Sequence, residues 1–154
     1  MVFSVMALPM PSTGRCQGTV SFASTLYLCP ILDLLLAEIP ASLQPEIRLG
    51  LQEALVNAAT HGNQLDPGKT ITVEFSFSKD IYWWTISDRG DRPFDPEACC
   101  CASADEDSLP DDTSECGRGL YILNQIFDRV EWTPQKRQLR LGKLVPRSVR
   151  RPKF

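Results

Sequence analysis

Apolar and polar side chains along this chain follow two different periods, and the places where one gives way to the other mark its elements. Ile71, Val73, Phe75 and Phe77 alternate with Thr72, Glu74 and Ser76, the period-two pattern of a strand with one buried face. Ser78-Lys79-Asp80 turns the chain into a second strand over Ile81–Ser87, which Asp88 closes. Upstream, Ile47, Leu51, Ala54, Leu55 and Ala58 recur at helical spacing, with Ser42 suited to the N-cap and Pro45 to the first turn. Residues 26–39 read as an apolar helix stopped by Pro40, residues 9–18 as a loop and residues 19–23 as a short strand. Downstream, a helix opens at Gly119 and carries Leu120, Tyr121, Leu123, Asn124 and Phe127; residues 129–133 and 137–145 then form a closing hairpin around Pro134-Gln135. The predicted fold class is α/β (α+β): a two-layer sandwich whose mixed, mostly antiparallel sheet is covered on one face by three helices.

Between residues 93 and 115 the pattern dissolves into Pro, Asp, Glu, Ser and Cys. A stretch of that length without periodicity inside a compact domain reads as a functional lid or as disorder, and residues 96–116 are assigned as the lid. The 154 residues suit one domain with a sizeable core. Its expected extent is residues 18–145, between a flexible N-terminus (1–17) and a basic tail (146–154). No apolar run reaches the about 20 residues of a membrane helix. The first eight residues lack the basic start of a signal peptide, so they read as a frayed beginning and cytoplasmic residence is expected.

Charge changes this picture at one end. The net charge of −3 conceals eight Lys or Arg and no acid from residue 136 onward, against eight basic and nineteen acidic side chains before it. The tail reads as a solvated strand face running into a disordered basic end; a docking strip for an acidic partner or a weak nucleic-acid contact is the alternative. Neither nucleic acid nor membrane is expected as a direct partner. Of the six cysteines, Cys99-Cys100-Cys101 are consecutive, and Cys16, Cys29 and Cys116 keep no ligand-like spacing, so they read as reduced, structurally incidental thiols.

Three short patches carry candidate chemistry. Glu53 and Asn57 lie one helical turn apart on a face other than the apolar stripe. Asn57 can give one oxygen to a magnesium ion, and a carboxylate one turn earlier can orient or deprotonate a nucleophile attacking a γ-phosphate. Asp88, at the end of a strand, can accept from an exocyclic amine, and Gly90 lets the backbone turn beneath a flat ring. Gly117-Arg118-Gly119 at a helix start offers backbone N–H groups and positive potential to an anion. Each pattern alone is common on solvated faces and in plain turns. Their order on these elements points to a nucleotide site.

That order resembles the GHKL ATPase superfamily, with Glu53 to Gly62 similar to its N box, Asp88 to Asp95 to its G1 box and Gly117 to Leu120 to its G2 box. Within it the chain resembles the bacterial anti-sigma factor, serine-protein kinase branch, whose E-A-x-x-N-A-x-x-H-G is met at every fixed position. The resemblance extends over about residues 18–145 and implies this same three-helix sandwich, of the Bergerat type. It implies Glu53 as catalytic base, Asn57 as magnesium ligand, Asp88 as adenine acceptor, and Gly90, Gly117, Arg118, Gly119 and Leu120 around the nucleotide, with ATP and Mg2+ as cofactors. The implied activity is phosphorylation of an anti-anti-sigma (STAS-like) protein in a partner-switching system, alternating with sequestration of a sigma factor, by a homodimer. The alternative is a non-catalytic nucleotide-binding adapter. A fragment of a sensor histidine kinase is disfavoured, because the only histidine, His61, lies within the N-box-like patch and no dimerisation helix pair precedes it. The chain departs from the pattern in three places. The segment between Gly90 and Phe94 is a residue longer, and Arg137-Gln138 stands where Gly-Thr is common, which implies a missing hydroxyl contact near the base. The acidic lid implies modest ATP affinity.

Overall fold

The computed structural model describes residues 17–91 and 115–146. Strand β1 (Gln17–Ala23) is followed by helices α1 (Cys29–Leu36) and α2 (Gln44–Asn57), the hairpin β2 (Thr70–Ser78) and β3 (Ile81–Ser87), helix α3 (Glu115–Ile126), and the hairpin β4 (Arg129–Thr133) and β5 (Gln138–Leu144). The five strands form one sheet in the order β1-β2-β3-β5-β4, and every pairing is antiparallel. The α+β sandwich expected from the periodicity is present. No helix among the described residues is long and apolar enough to cross a membrane.

The alternating pattern decides which face of the sheet is covered. Val20, Phe22, Ile71, Val73, Trp84, Ile86 and Leu141 all point into one core with the buried stripes of the helices. Helix α2 lies at its centre, with Ile47, Leu51, Ala54 and Leu55 buried as the spacing predicts. Trp84 meets Phe127, just past α3, edge to face at 5.9 Å between centroids, which fixes the end of α3 over the sheet. Lys143 on β5 then donates to the carbonyl of Ile126 (2.6 Å) and pairs with Glu46 on α2 (3.0 Å). A cation at the C-terminal end of α3 is where the helix dipole favours it.

Several element boundaries differ from the sequence expectation. Helix α1 is shorter at both ends: at its start Tyr27 N–H bonds Thr25 Oγ1 in a local turn and Pro30 occupies the first helical turn, and past its end the N–H groups of Ala37 and Ile39 reach back only three residues, to the carbonyls of Leu34 and Leu36. The N-cap of α2 is Leu43 rather than Ser42, with no side-chain cap; the Gln44 amide instead closes the end of α1, donating to the carbonyls of Leu36 (3.2 Å) and Ile39 (2.9 Å). Helix α3 is already formed at Glu115, four residues ahead of Gly119. The lid segment from residue 96 to 114, the cysteine run within it, the lengthened 92–94 stretch and the basic end from residue 147 lie outside the described residues.

Candidate functional site

The last turns of α2 build one wall of the site. After Asn57 the helix widens into a π-type turn over Ala58–Gly62, with Asn63 N–H reaching back five residues to the carbonyl of Ala58 (2.9 Å). Such widening recurs at functional positions because it re-aims the residues on it. Here it lays Gly62 directly against the carboxylate of Asp88, where a Cβ would overlap that carboxylate. Gly90 is equally constrained, since a Cβ there would overlap the carbonyl oxygen of Gly62 and the guanidinium of Arg137. The two glycines let two backbone segments from distant parts of the sequence meet beneath one acidic side chain.

Asn63 locks that meeting point. Its side chain is fully buried, donates to Ser24 Oγ (2.7 Å) and to the carbonyl of Thr70 (3.0 Å), and accepts from the N–H of Arg89 (2.7 Å). Thr70 offers only an acceptor and Arg89 only a donor, so one amide orientation alone satisfies both. The end of β1, the start of β2 and the Asp88-Arg89-Gly90 turn are tied to a single side chain. In sequence Asn63 only opens an Asn-Gln-Leu-Asp-Pro-Gly turn.

Above this junction lies a cavity of about 240 Å³. Ala54, Ala58, Ile86, Leu120, Leu123 and Val130 make its wall largely apolar, Trp132 adds an aromatic face, and Asn57, Asp88 and Asn124 supply polar groups. Its volume falls below the about 300–1,000 Å³ typical of clefts that enclose a drug-sized ligand. A flat ring fits within it while the remainder of a larger ligand extends outside.

The sequence-predicted residues divide into three groups. Asn57, Asp88 and Leu120 line the cavity, and Gly90 supports it from below. Gly119 faces Asn57, with a Cβ position 2.8 Å from the amide nitrogen; Gly117 and exposed Arg118 lie in the opening turns of α3. Glu53 is half-buried on α2, one turn before Asn57, and does not line the cavity. His61 is exposed on the π-type turn.

Electrostatically, Asp88 is the centre. Its side chain is 6 % exposed and its Oδ1 accepts from the N–H of Gly90 (2.9 Å) and from Arg137 Nε (2.6 Å). Arg137, 16 % exposed, holds this position from a left-handed backbone conformation (φ 51°) just before β5. Asp91, at the end of the same turn, pairs with Lys69 (2.7 Å). That hydrogen bond, the charge of Lys69 and the more distant charge of Arg137 hold its carboxyl below the usual aspartate range.

The donor set fits an adenine nucleotide in outline. A buried carboxylate beside an apolar slot can take the amine edge of a ring, and an asparagine oxygen on the adjoining helix can meet a cation bound to phosphates. Among the described residues no group of three or more His, Cys, Asp or Glu side chains converges on a metal position. Asn57, with Asp88 and Asn124, brings a side-chain oxygen to the cavity. A family model for the histidine kinase-like ATPase domain matches residues 32–143, a span that contains every residue lining the cavity. No curated protein matches the chain.

Proposed function

The chain belongs to the histidine kinase-like ATPase family, and from that premise we propose that it is an ATP-dependent protein serine/threonine kinase that phosphorylates an anti-anti-sigma protein and, in the unengaged state, sequesters a sigma factor. The observation that carries this reading is the placement of the Asp88 carboxylate and the Asn57 amide on one apolar, ring-sized cavity, with Glu53 one helical turn from Asn57. The apolar wall takes the faces of the adenine ring while Asp88 accepts from its amine. Asn57 Oδ1 would hold magnesium, which would supply charge neutralisation at the phosphates. Gly119, in the second turn of α3, lets that helix approach Asn57 so closely that a Cβ would crowd the Asn57 amide.

Glu53 acts on the partner. Its carboxylate takes the proton of the serine or threonine hydroxyl, the hydroxyl oxygen bonds the γ-phosphorus, and the bond from that phosphorus to the β–γ bridging oxygen breaks, releasing ADP. A second reading, an adapter that holds nucleotide without transferring phosphate, draws support from the position of Glu53 outside the cavity lining. Transfer of labelled γ-phosphate to a co-purified partner separates the two. Asn57→Ala weakens Mg-ATP binding, whereas Glu53→Gln keeps binding and lowers transfer by about 10²–10⁴. Both variants fold, since neither residue lies on the buried stripe of α2. Wild-type protein that binds Mg-ATP but transfers nothing to any native partner leaves the adapter reading standing.

A further inference from the structure

The carboxylate assigned to the base does not face the cavity alone. Both lone pairs of Asp88 Oδ1 are directed at donors, the N–H of Gly90 and the Nε–H of Arg137 at 2.6 Å, so only Oδ2 keeps acceptor capacity, and the guanidinium offsets the negative charge. Arg137 reaches this position from a backbone conformation (φ 51°) that L side chains rarely adopt. A residue outside the cavity lining thus governs how strongly the cavity's acid can accept.

We propose that Arg137 is the residue that sets base selectivity at this site: its ion pair with Asp88 weakens the preference for a purine carrying an amine at the six position over one carrying a carbonyl there. The inference rests on the reading that Asp88 receives the base. An amine donates, so its hydrogen bond to Asp88 is strongest when the carboxylate carries its full charge. A carbonyl accepts, so an unpaired carboxylate repels it and a carboxylate with a guanidinium on it repels it less. Arg137 therefore lowers ATP affinity while penalising ITP little.

ATP and ITP titrations of the full chain, wild type beside Arg137→Gly and Arg137→Gln, test this. Glycine suits the left-handed backbone at this position and glutamine retains a neutral donor, so one variant covers for the other should either fold poorly. The ratio of the two affinities on one preparation is also insensitive to a partly unfolded fraction. Removing the guanidinium raises the preference for ATP over ITP by about tenfold or more in both variants, as expected for restoring a charged hydrogen bond. A rise of less than about threefold, on the same scale of one hydrogen bond, overturns the proposal.

Asp88→Asn, alone and combined with Arg137→Gly, keeps the two readings apart. The preference gained in Arg137→Gly disappears when Asp88→Asn is added. If Asp88→Asn weakens ATP binding but the Arg137 variants leave the ratio unchanged, only the selectivity inference falls. If Asp88→Asn leaves ATP binding at the wild-type level, the base-reading role of Asp88 falls and the selectivity inference with it.

Discussion

Replacing Asn63 with alanine isolates the junction on which the site is built. Three hydrogen bonds are removed from a side chain with no solvent exposure: those to Ser24 Oγ, to the Thr70 carbonyl and from the Arg89 N–H. At about 0.5–1.5 kcal/mol each the loss lies between about 1.5 and 4.5 kcal/mol. Ser24 Oγ keeps its bond to the Lys69 carbonyl (3.0 Å), which moderates the upper end, so a loss of about 2–4 kcal/mol is expected. Against a typical total of about 5–15 kcal/mol that is a large fraction, and urea denaturation at equilibrium resolves it. The same variant frees the Arg89 N–H and loosens the Asp88-Arg89-Gly90 turn, so ATP affinity falls even where the protein remains folded. Asn63→Asp is the companion variant. It retains an acceptor for Arg89 but turns oxygen toward the Thr70 carbonyl and buries a charge, so it is at least as unstable as Asn63→Ala. A loss below about 1 kcal/mol for Asn63→Ala, within the range of a single hydrogen bond, would show that the amide is not the tie described above.

Gly62→Ala drives a methyl group into the Asp88 carboxylate and is expected to cost about 1–3 kcal/mol by overpacking while lowering ATP affinity; unchanged thermal unfolding and nucleotide titration would refute the close approach. Asp91 titrates below the usual aspartate range because of Lys69. Its folded-state value is lowered, so the stabilising contribution is complete above the unfolded-state value and is lost as pH falls through the folded-state value. The contribution is small at so exposed a position, and the direct check is NMR: Lys69→Ala moves the Asp91 carboxyl midpoint upward, and identical midpoints in the two proteins rule the pairing out.

The elements whose geometry is set locally were readable from the chain. The β2–β3 hairpin follows from the alternation over Ile71–Phe77 and the Ser78-Lys79-Asp80 turn, and Lys79 and Asp80 both adopt the left-handed conformation that a tight hairpin turn requires (φ 51° and 65°). The α2 stripe follows from helical spacing, and the candidate residues Asn57 and Asp88 could be selected because three individually common patterns fall in one telling order along the elements. Asn63 was not legible as a junction, since its partners lie 39, 7 and 26 residues away and nothing in an Asn-Gln-Leu-Asp-Pro-Gly turn marks one member as buried. Ser42 misled for the opposite reason: it is a good cap by type, but the end of α1 had to be closed from nearby, and Gln44 was in reach.

Arg137 shows how a local violation and a functional site coincide. The tight connection between β4 and β5 places a left-handed residue directly before β5, a position that local preference assigns to glycine or asparagine. Arginine there costs backbone energy. A compensating contact lies 49 residues back in the sequence, at the nearly buried Asp88 carboxylate. The ion pair links the two: the guanidinium offsets the nearly buried Asp88 charge, and Arg137 holds that place from a left-handed backbone. Local consistency fails here at one position of an otherwise consistent hairpin, and failures of that kind concentrate where a site demands them. The substitution that best relaxes the turn, Arg137→Gly, is therefore also the one that exposes the full acceptor strength of Asp88, and backbone strain and base selectivity are released by a single change.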